Sequence, residues 1–297
     1  MDGNHAVTRG DAATVAGLAQ HDHVCWSYST DEEQAAVLQA YFAGGVLADE
    51  RLFYFGPEHS VARLLGGLES AGHRPTEMLA AGSLVVGDAE AAYLPDGSFD
   101  AEERIEGFRG VAHQAVADGY TGIRVAGENA GVLNLPEVAD HWYDYEVRVE
   151  LLTAAEPILG MCCFDRRECH DDALRLLDAV HRVRLDPDGS SVGPRTSFTV
   201  HGRADGRLAL SGEVDTFNAA QLRRLLARPA EHLDPMEIDV SRLDFVDLAG
   251  IRALESVANG RSASSGVLEL QGATPFLRTV WDLVAQRPGA RVVLTAG

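Results

Sequence analysis

The apolar positions of this 297-residue chain follow two rhythms. Short dense runs at residues 24–28 (VCWSY), 51–55 (RLFYF), 84–86, 123–126 and 157–164 (PILGMCCF) have the length and composition of buried strands. Between them, residues 31–48, 61–71, 101–118, 141–154 and 171–180 carry the spacing of helices. The first helix opens on Asp31, Glu32 and Glu33, where acids complement the helix dipole, while Gly72 and Gly119 stand where helices stop. Strands and helices in strict alternation predict a mostly parallel sheet covered on both faces. The rhythm breaks over residues 186–197 (DPDGSSVGPRTS), which have no hydrophobic period and are rich in Gly, Pro and Ser. Beyond the break the pattern shortens. Strands are predicted at 197–200, 207–214, 237–243, 267–271 and 290–295, and helices at 218–227, 249–259 and 275–285, the last with Pro275 in its first turn. The chain therefore divides into a domain at 18–186, a linker at 187–196 and a domain at 197–297.

Charge sharpens this division. There is no lysine; residues 1–196 hold 14 Arg against 33 Asp and Glu, and residues 197–297 hold 11 against 12. Nearly all of the formal net charge of −20 thus sits on the first domain, which argues against nucleic acid or an anionic membrane as partner. No apolar run has the length of a membrane span, and the N-terminus lacks the basic and apolar segments of a secretory signal. Cys25, Cys162, Cys163 and Cys169 have no framework spacing, and two are vicinal, which fits a reduced protein. The expected location is the cytoplasm.

In the second domain, RLALSGEVDTFNAAQLRRLL at 207–226 and EIDVSRLDFVDLAGIRALESVAN at 237–259, at this separation, resemble the STAS family. The resemblance implies a small mixed sheet backed by helices, and the binding of an anti-sigma factor at a surface including Asp215, Asp247, Leu248, Ala249 and Gly250. In switchable members a kinase-type (GHKL) anti-sigma factor phosphorylates a serine in a D-S-S-G-like loop. Here that loop is Asp247-Leu248-Ala249-Gly250, without a hydroxyl, so phosphorylation at that site is chemically excluded. Leu248 either offers a partner an apolar anchor or packs locally. Asp247 is equally a helix cap or a partner contact.

In the first domain, the blocks HDHVCWSYSTDEE (21–33), ADERLFYFG (48–56), AAYLPDGSFD (91–100), GYTGIRVAGE (119–128), WYDYEVRVELL (142–152) and CCFDRRE (162–168) together resemble the MEDS family of sensory domains in bacterial and archaeal regulators. The likeness implies a RecA- or KaiC-like α/β core without a phosphate loop. A Walker loop needs a lysine, and after the first strand this chain reads Ser29-Thr30-Asp31-Glu32, so ATP hydrolysis is not expected.

Open α/β sheets bind ligands at their strand ends. His23, Cys25, Trp26, Tyr28, Tyr93, Glu128, Tyr145, Glu146, Asp165 and Arg166 are the residues expected to line such a site for a small organic ligand. Against this, Trp26 and Tyr28 also read as core aromatics, and Glu128 and Arg166 as a structural ion pair. His21, His23, Cys25, Cys162, Cys163, Cys169 and His170 include soft metal donors, with Cys25 able to approach Cys162 if the first and last strands are neighbours. No C-x-x-C pair exists, however, and strand alternation separates Cys162 from Cys163, so no metal or cofactor is assigned. No triad, nucleophile elbow or cofactor fingerprint supports an enzyme. The expected function is a non-enzymatic bacterial regulator of the anti-sigma-factor-antagonist kind, coupling ligand sensing to partner binding. The alternative is a ligand-, metal- or redox-sensing protein whose STAS domain only mediates assembly.

Overall fold

The computed structural model describes residues 14–192, 196–262, 265–284 and 291–295. A first sheet of six strands is built from β1 (His23–Tyr28), β2 (Arg51–Phe55), β3 (Leu84–Gly87), β4 (Ile123–Glu128), β5 (Ile158–Asp165) and β6 (Val183–Leu185), in the order β3-β2-β4-β5-β1-β6. All its pairings are parallel. Around it run α1 (Asp31–Leu47), α2 (Glu58–Ser70), α3 (Pro75–Ala81), α4 (Ala89–Tyr93), α5 (Ala101–Ala117), α6 (Ala130–Leu133), α7 (Pro136–Ala155) and α8 (Asp171–Val180). β1, the middle of β2 and all of β5 are buried on both sides, as parallel strands between helix layers must be.

Alternation sorts the residues of each strand onto two faces. Val24, Trp26 and Tyr28 of β1 pack with Val37, Leu38, Tyr41 and Phe42 of α1 and with Leu64 and Leu68 of α2. On the other face, Cys25, Val125, Cys162 and Phe164 pack under α5, α7 and α8. α1 begins at a capping box: the Thr30 hydroxyl accepts the Glu33 amide while the Glu33 carboxylate accepts the Thr30 amide, which ties down free amides of the first turn.

The second sheet joins β7 (Phe198–Gly202), β8 (Leu208–Val214), β9 (Met236–Val246), β10 (Leu268–Gln271) and β11 (Val292–Leu294) in the order β11-β10-β9-β8-β7. Only β7 runs antiparallel to its neighbour. Its helices are α9 (Ala219–Ala227), α10 (Pro229–His232), α11 (Leu248–Gly260) and α12 (Pro275–Val284). Both sheets match the fold class expected from the sequence. β9 extends past the predicted end at Leu243 because register shifts against β8 break its period of two. The sequence pattern missed α3, α4, α6, β6 and α10, all short.

The two sheets are not separate bodies on a slack tether. β7 is an edge strand, and α7 and α8 lie against it, so the apolar core under α7 continues into Phe198, Val200, Leu222 and Leu226. Arg224 of α9 stacks on Tyr143 of α7, its guanidinium 4.7 Å from the ring centroid. The first part of the predicted linker is also folded. Thr14 and Leu185 bridge to Ser190 and Ser191, and the Val15 amide donates to the Gly189 carbonyl at 2.8 Å. Residues 193–195 of that linker lie outside the described residues.

Candidate functional site

Two groups of polar side chains interrupt this core, one on each face of the first sheet. Under α7, His23 of β1 faces two acids one helical turn apart. Its Nδ1 lies 3.2 Å from Glu150 Oε1 and its Nε2 3.4 Å from Glu146 Oε2. Cys162 of β5, beside β1 in the parallel register, places Sγ 3.5 Å from both His23 Nε2 and Glu146 Oε2. His181, just after α8, lies with Nε2 3.5 Å from the same carboxylate oxygen and its ring centroid 4.1 Å from that of His23. Its Nδ1 donates to the Leu177 carbonyl at 2.7 Å. All five side chains are buried.

The electrostatics of this group follow from burying two carboxylates. Burial alone would lower the His23 pKa, but the hydrogen bonds and charges of Glu146 and Glu150 outweigh it and raise it to about 9. Burial and then the His23 charge lower His181 to about 4. Both glutamates are held below their ordinary range against burial, by the two histidines around them. Burial pushes the Cys162 thiol up, and the Glu146 charge adds to it. Glu150 also reaches outward. Its Oε1 accepts the Arg182 amide at 2.9 Å and its Oε2 the Gly202 amide of β7 at 3.1 Å. One carboxylate thus joins a buried histidine of the first sheet to the edge strand of the second.

Next to His23 and Cys162 is a cavity of about 30 Å³ lined mainly by apolar and aromatic side chains, among them Tyr93, Phe108 and Tyr145. Tyr93, Phe99, Trp142 and Tyr145 form a tilted and edge-to-face aromatic cluster with centroids 5.2–5.8 Å apart.

The second group lies on the opposite face, at the carboxyl ends of β1, β2 and β4. The Glu128 carboxylate accepts hydrogen bonds from the Tyr28 and Tyr54 hydroxyls and from Gln34 Nε2. Burial raises its pKa, opposed by those two tyrosine hydrogen bonds. Burial, and then the Glu128 charge, raise both tyrosines. Glu128 forms one wall of a cleft of about 300 Å³ whose rim carries Asp31, Asp88, Glu90, Asp165 and Glu168 against His59 and Arg167. Arg167 is itself held by Asp165 at 2.6 Å and by Asp31 at 2.9 Å. A polyphosphate entering this cleft meets carboxylates, whereas a neutral or cationic molecule does not meet that barrier.

The ten residues expected at a ligand site therefore do not form one constellation. Tyr28, Glu128 and Asp165 line the cleft, while His23, Tyr93 and Tyr145 line the small cavity, with Glu146 beside His23. Cys25 is buried near Asp178, and Trp26 packs on the α1 face with its indole nitrogen donating to the Asp186 carbonyl at 3.1 Å. The expected Glu128–Arg166 ion pair is absent among the described residues. Arg166 Nε donates to Ser27 Oγ, and Ser27 points to the α7 face, away from Glu128. Of the seven soft donors considered, His23 and Cys162 come within contact distance, and Cys25 lies opposite Cys162 in the register of the neighbouring strand, as expected if β1 and β5 are adjacent. His21 turns to the Thr153 carbonyl, Cys163 faces α1 and His170 stands before α8. The sequence reading missed His181 and Glu150. Glu150 had a signal, since Glu146 and Glu150 repeat at helical spacing on a face otherwise made of Tyr143, Val147 and Val149.

In the second sheet, Asp247 caps α11: one carboxylate oxygen accepts the Ala249 and Gly250 amides, and the other accepts the Thr216 amide and hydroxyl. The loop after β8 is thereby stitched to the loop after β9. Asp215 accepts the Phe217 amide at 2.8 Å and fixes the first loop. Gly250 has no room for a side chain, since a Cβ would lie 2.6 Å from Val246 Cγ2 and 2.9 Å from Val214 Cγ1. Leu248 is 52% exposed and Phe217 93%, and exposed Phe245 and Phe276 stack with centroids 6.4 Å apart.

Residues 22–182 match the family described as MEDS, the methanogen/methylotroph DcmR sensory domain, and residues 198–285 match the one described as Mlab, STAS domain. Among solved structures the chain is similar to the flagellar accessory protein FlaH from Methanocaldococcus jannaschii. That likeness has 10% identity, covers 61% of this chain and 77% of that one, and has a TM-score of 0.42. No curated protein matches. No helix among the described residues is long and apolar enough to cross a membrane. Domains of these two types are generally non-enzymatic, and a sensory domain beside a STAS domain supports a signalling or regulatory role. The protein belongs to the MEDS family, with a STAS domain following its sensory domain.

Proposed function

We propose that this protein is a sensor–adaptor: residues 18–186 take up a small organic ligand, and residues 197–297 bind a protein partner of the GHKL anti-sigma-factor type. The observation that carries this reading is the double role of α7. One side of the helix presents Glu146 and Glu150 to His23, and the same helix packs on β7 and α9, with Glu150 Oε2 on the Gly202 amide. A ligand that favours one arrangement of α7 has a physical route to the STAS sheet, through a differential affinity for two states. The acidic rim of the larger cleft favours a neutral or cationic organic molecule, and the aromatic cavity an apolar one. Partner choice is read from the paired loops of the second sheet, where Leu248 stands in place of a serine and Phe217 beside it is almost wholly exposed. Exposed aromatic and leucine side chains on loops pinned by Asp215 and Asp247 are suited to act as rigid anchors.

The test is capture of a GHKL-type ATPase from source-cell lysate by the full chain. Leu248→Asp and Phe217→Asp are each expected to weaken the complex at least tenfold in a titration with the purified partner, about 1.4 kcal/mol or more. Recovery of no such ATPase, or a complex indifferent to both changes, contradicts the proposal. The four-donor group around Glu146 favours a second reading, in which the chain senses a metal or redox state and the STAS domain only mediates assembly. Its mark is a tightly held group whose removal leaves assembly unchanged.

A further inference from the structure

We propose that His23, Glu146, Cys162 and His181 bind one divalent d-block ion of the zinc class in a closed tetrahedral site. Their donor atoms (two ring nitrogens, a thiol sulfur and a carboxylate oxygen) lie within 4.8 Å of one another and are all buried. A tetrahedral zinc site with ordinary bond lengths has edges of about 3.3 Å between nitrogen and oxygen, and about 3.5 Å where sulfur is one end. Here His23 Nε2 to Glu146 Oε2 is 3.4 Å and His181 Nε2 to Glu146 Oε2 is 3.5 Å. Cys162 Sγ stands 3.5 Å from both His23 Nε2 and Glu146 Oε2. Four edges of the tetrahedron are thus already close to their bonded lengths.

The hydrogen bonds around the group point the same way. His181 Nδ1 donates to the Leu177 carbonyl, which leaves a lone pair on Nε2. That lone pair faces Glu146 Oε2 at 3.5 Å, an oxygen already within 3.5 Å of the Cys162 thiol, and His181 Nε2 has no hydrogen-bond partner in the structure. Two acceptors facing each other in an apolar interior are unfavourable unless a cation lies between them. His23 is oriented in the same manner, with Nδ1 on the Glu150 carboxylate and Nε2 turned to Cys162 and Glu146. A carboxylate behind one histidine and a backbone carbonyl behind the other are the usual outer partners of metal-bound imidazoles.

Binding forms four bonds to the ion and releases the Cys162 thiol proton to solvent, together with the Nε2 proton of His23 where that ring is charged. With four protein donors and no open position, the site is structural or sensory rather than catalytic. Because Glu150 holds both the outer side of His23 and the Gly202 amide, loading is transmitted to the contact between the sheets. That consequence rests on the sensor–adaptor reading, whereas binding itself does not.

The test uses the full chain, stripped with a chelator under reducing conditions and titrated with Co(II) alone. One equivalent is expected to bind with tetrahedral d–d absorption and a thiolate-to-cobalt charge-transfer band, and Zn(II) is expected to displace it. Cys162→Ser should abolish the charge-transfer band, His181→Gln should lower affinity at least tenfold, and Cys169→Ser should change neither. Glu150→Gln should weaken Zn(II) binding about 10- to 100-fold. Circular dichroism of each stripped variant checks that it folds like the parent, and the unmutated chain is decisive without them. A parent chain with no charge-transfer band overturns the proposal, as does a band that survives Cys162→Ser or disappears in Cys169→Ser.

Discussion

Glu50→Ala is expected to lower stability by about 3–5 kcal/mol, the usual cost of leaving one member of a buried ion pair alone. Glu50 and Arg124 have side chains only 2% and 4% exposed and pair directly inside the first domain. The Arg124 guanidinium also donates to the Tyr41 carbonyl and lies 5.0 Å from the centroid of the Tyr41 ring. Its space is cut from α1, where Gly44 and Gly45 would otherwise bring a Cβ to 2.7 Å from Nη1 and 2.9 Å from Cδ. Without Glu50 the guanidinium keeps its charge in a slot that water does not reach. A urea titration should show the lower midpoint. The double variant Glu50→Leu/Arg124→Met should recover most of the loss, because an apolar pair of similar volume carries no desolvation penalty. A midpoint unmoved in Glu50→Ala would mean that the pair is solvated in solution.

The second large effect is expected at Gly202, where β7 meets α7. A Cβ there would lie 2.3 Å from the Glu150 carbonyl oxygen and 2.6 Å from the Leu151 amide nitrogen. Both atoms are helix backbone, so neither can swing aside, and β7 must retreat. The retreat also takes the Gly202 amide from Glu150 Oε2 and leaves a buried carboxylate oxygen short of a donor. Overpacking and the lost hydrogen bond each cost about 1–3 kcal/mol. Both costs fall on the contact between the sheets and not on either core. Calorimetry should therefore resolve two unfolding steps in Gly202→Ala where the parent, with its continuous core, shows one. A single step at the parent temperature would show that the α7–β7 contact does not join the two sheets.

The strands were legible because each is a short apolar run bounded by Gly, Pro or acids, and strand alternation was enough to place Cys162 and Cys163 on opposite faces. Short elements such as α3 and β6 lacked the length for a period to show. At the site, Glu128 and Tyr28 stand at strand ends as expected, while the alternative reading of Glu128 and Arg166 as an ion pair is not met, because Arg166 Nε donates to Ser27 Oγ instead. His181 was missed for a different reason. It sits between the apolar end of α8 and β6, where nothing in local sequence distinguishes an ordinary core histidine from one whose ring lies against His23 of the neighbouring strand. The Asp247 cap was legible as a possibility and became definite only when Thr216, 31 residues earlier in the chain, supplied the other half of its hydrogen bonds. The joining of the two sheets was not legible at all, since it depends on β7 lying against α7 rather than on any local pattern.

The central claim is that Glu150 couples the sensory sheet to the STAS sheet, and amide hydrogen exchange on Glu150→Gln tests it most directly. The substitution keeps the side chain's shape and weakens its hold on the Gly202 amide. We expect exchange at residues 198–202 to quicken at least tenfold, with a change also in the loops at 215–218 and 247–250. Unchanged exchange in β7 and in both loops would contradict the account, leaving Glu150 a buried acid that serves the first sheet alone.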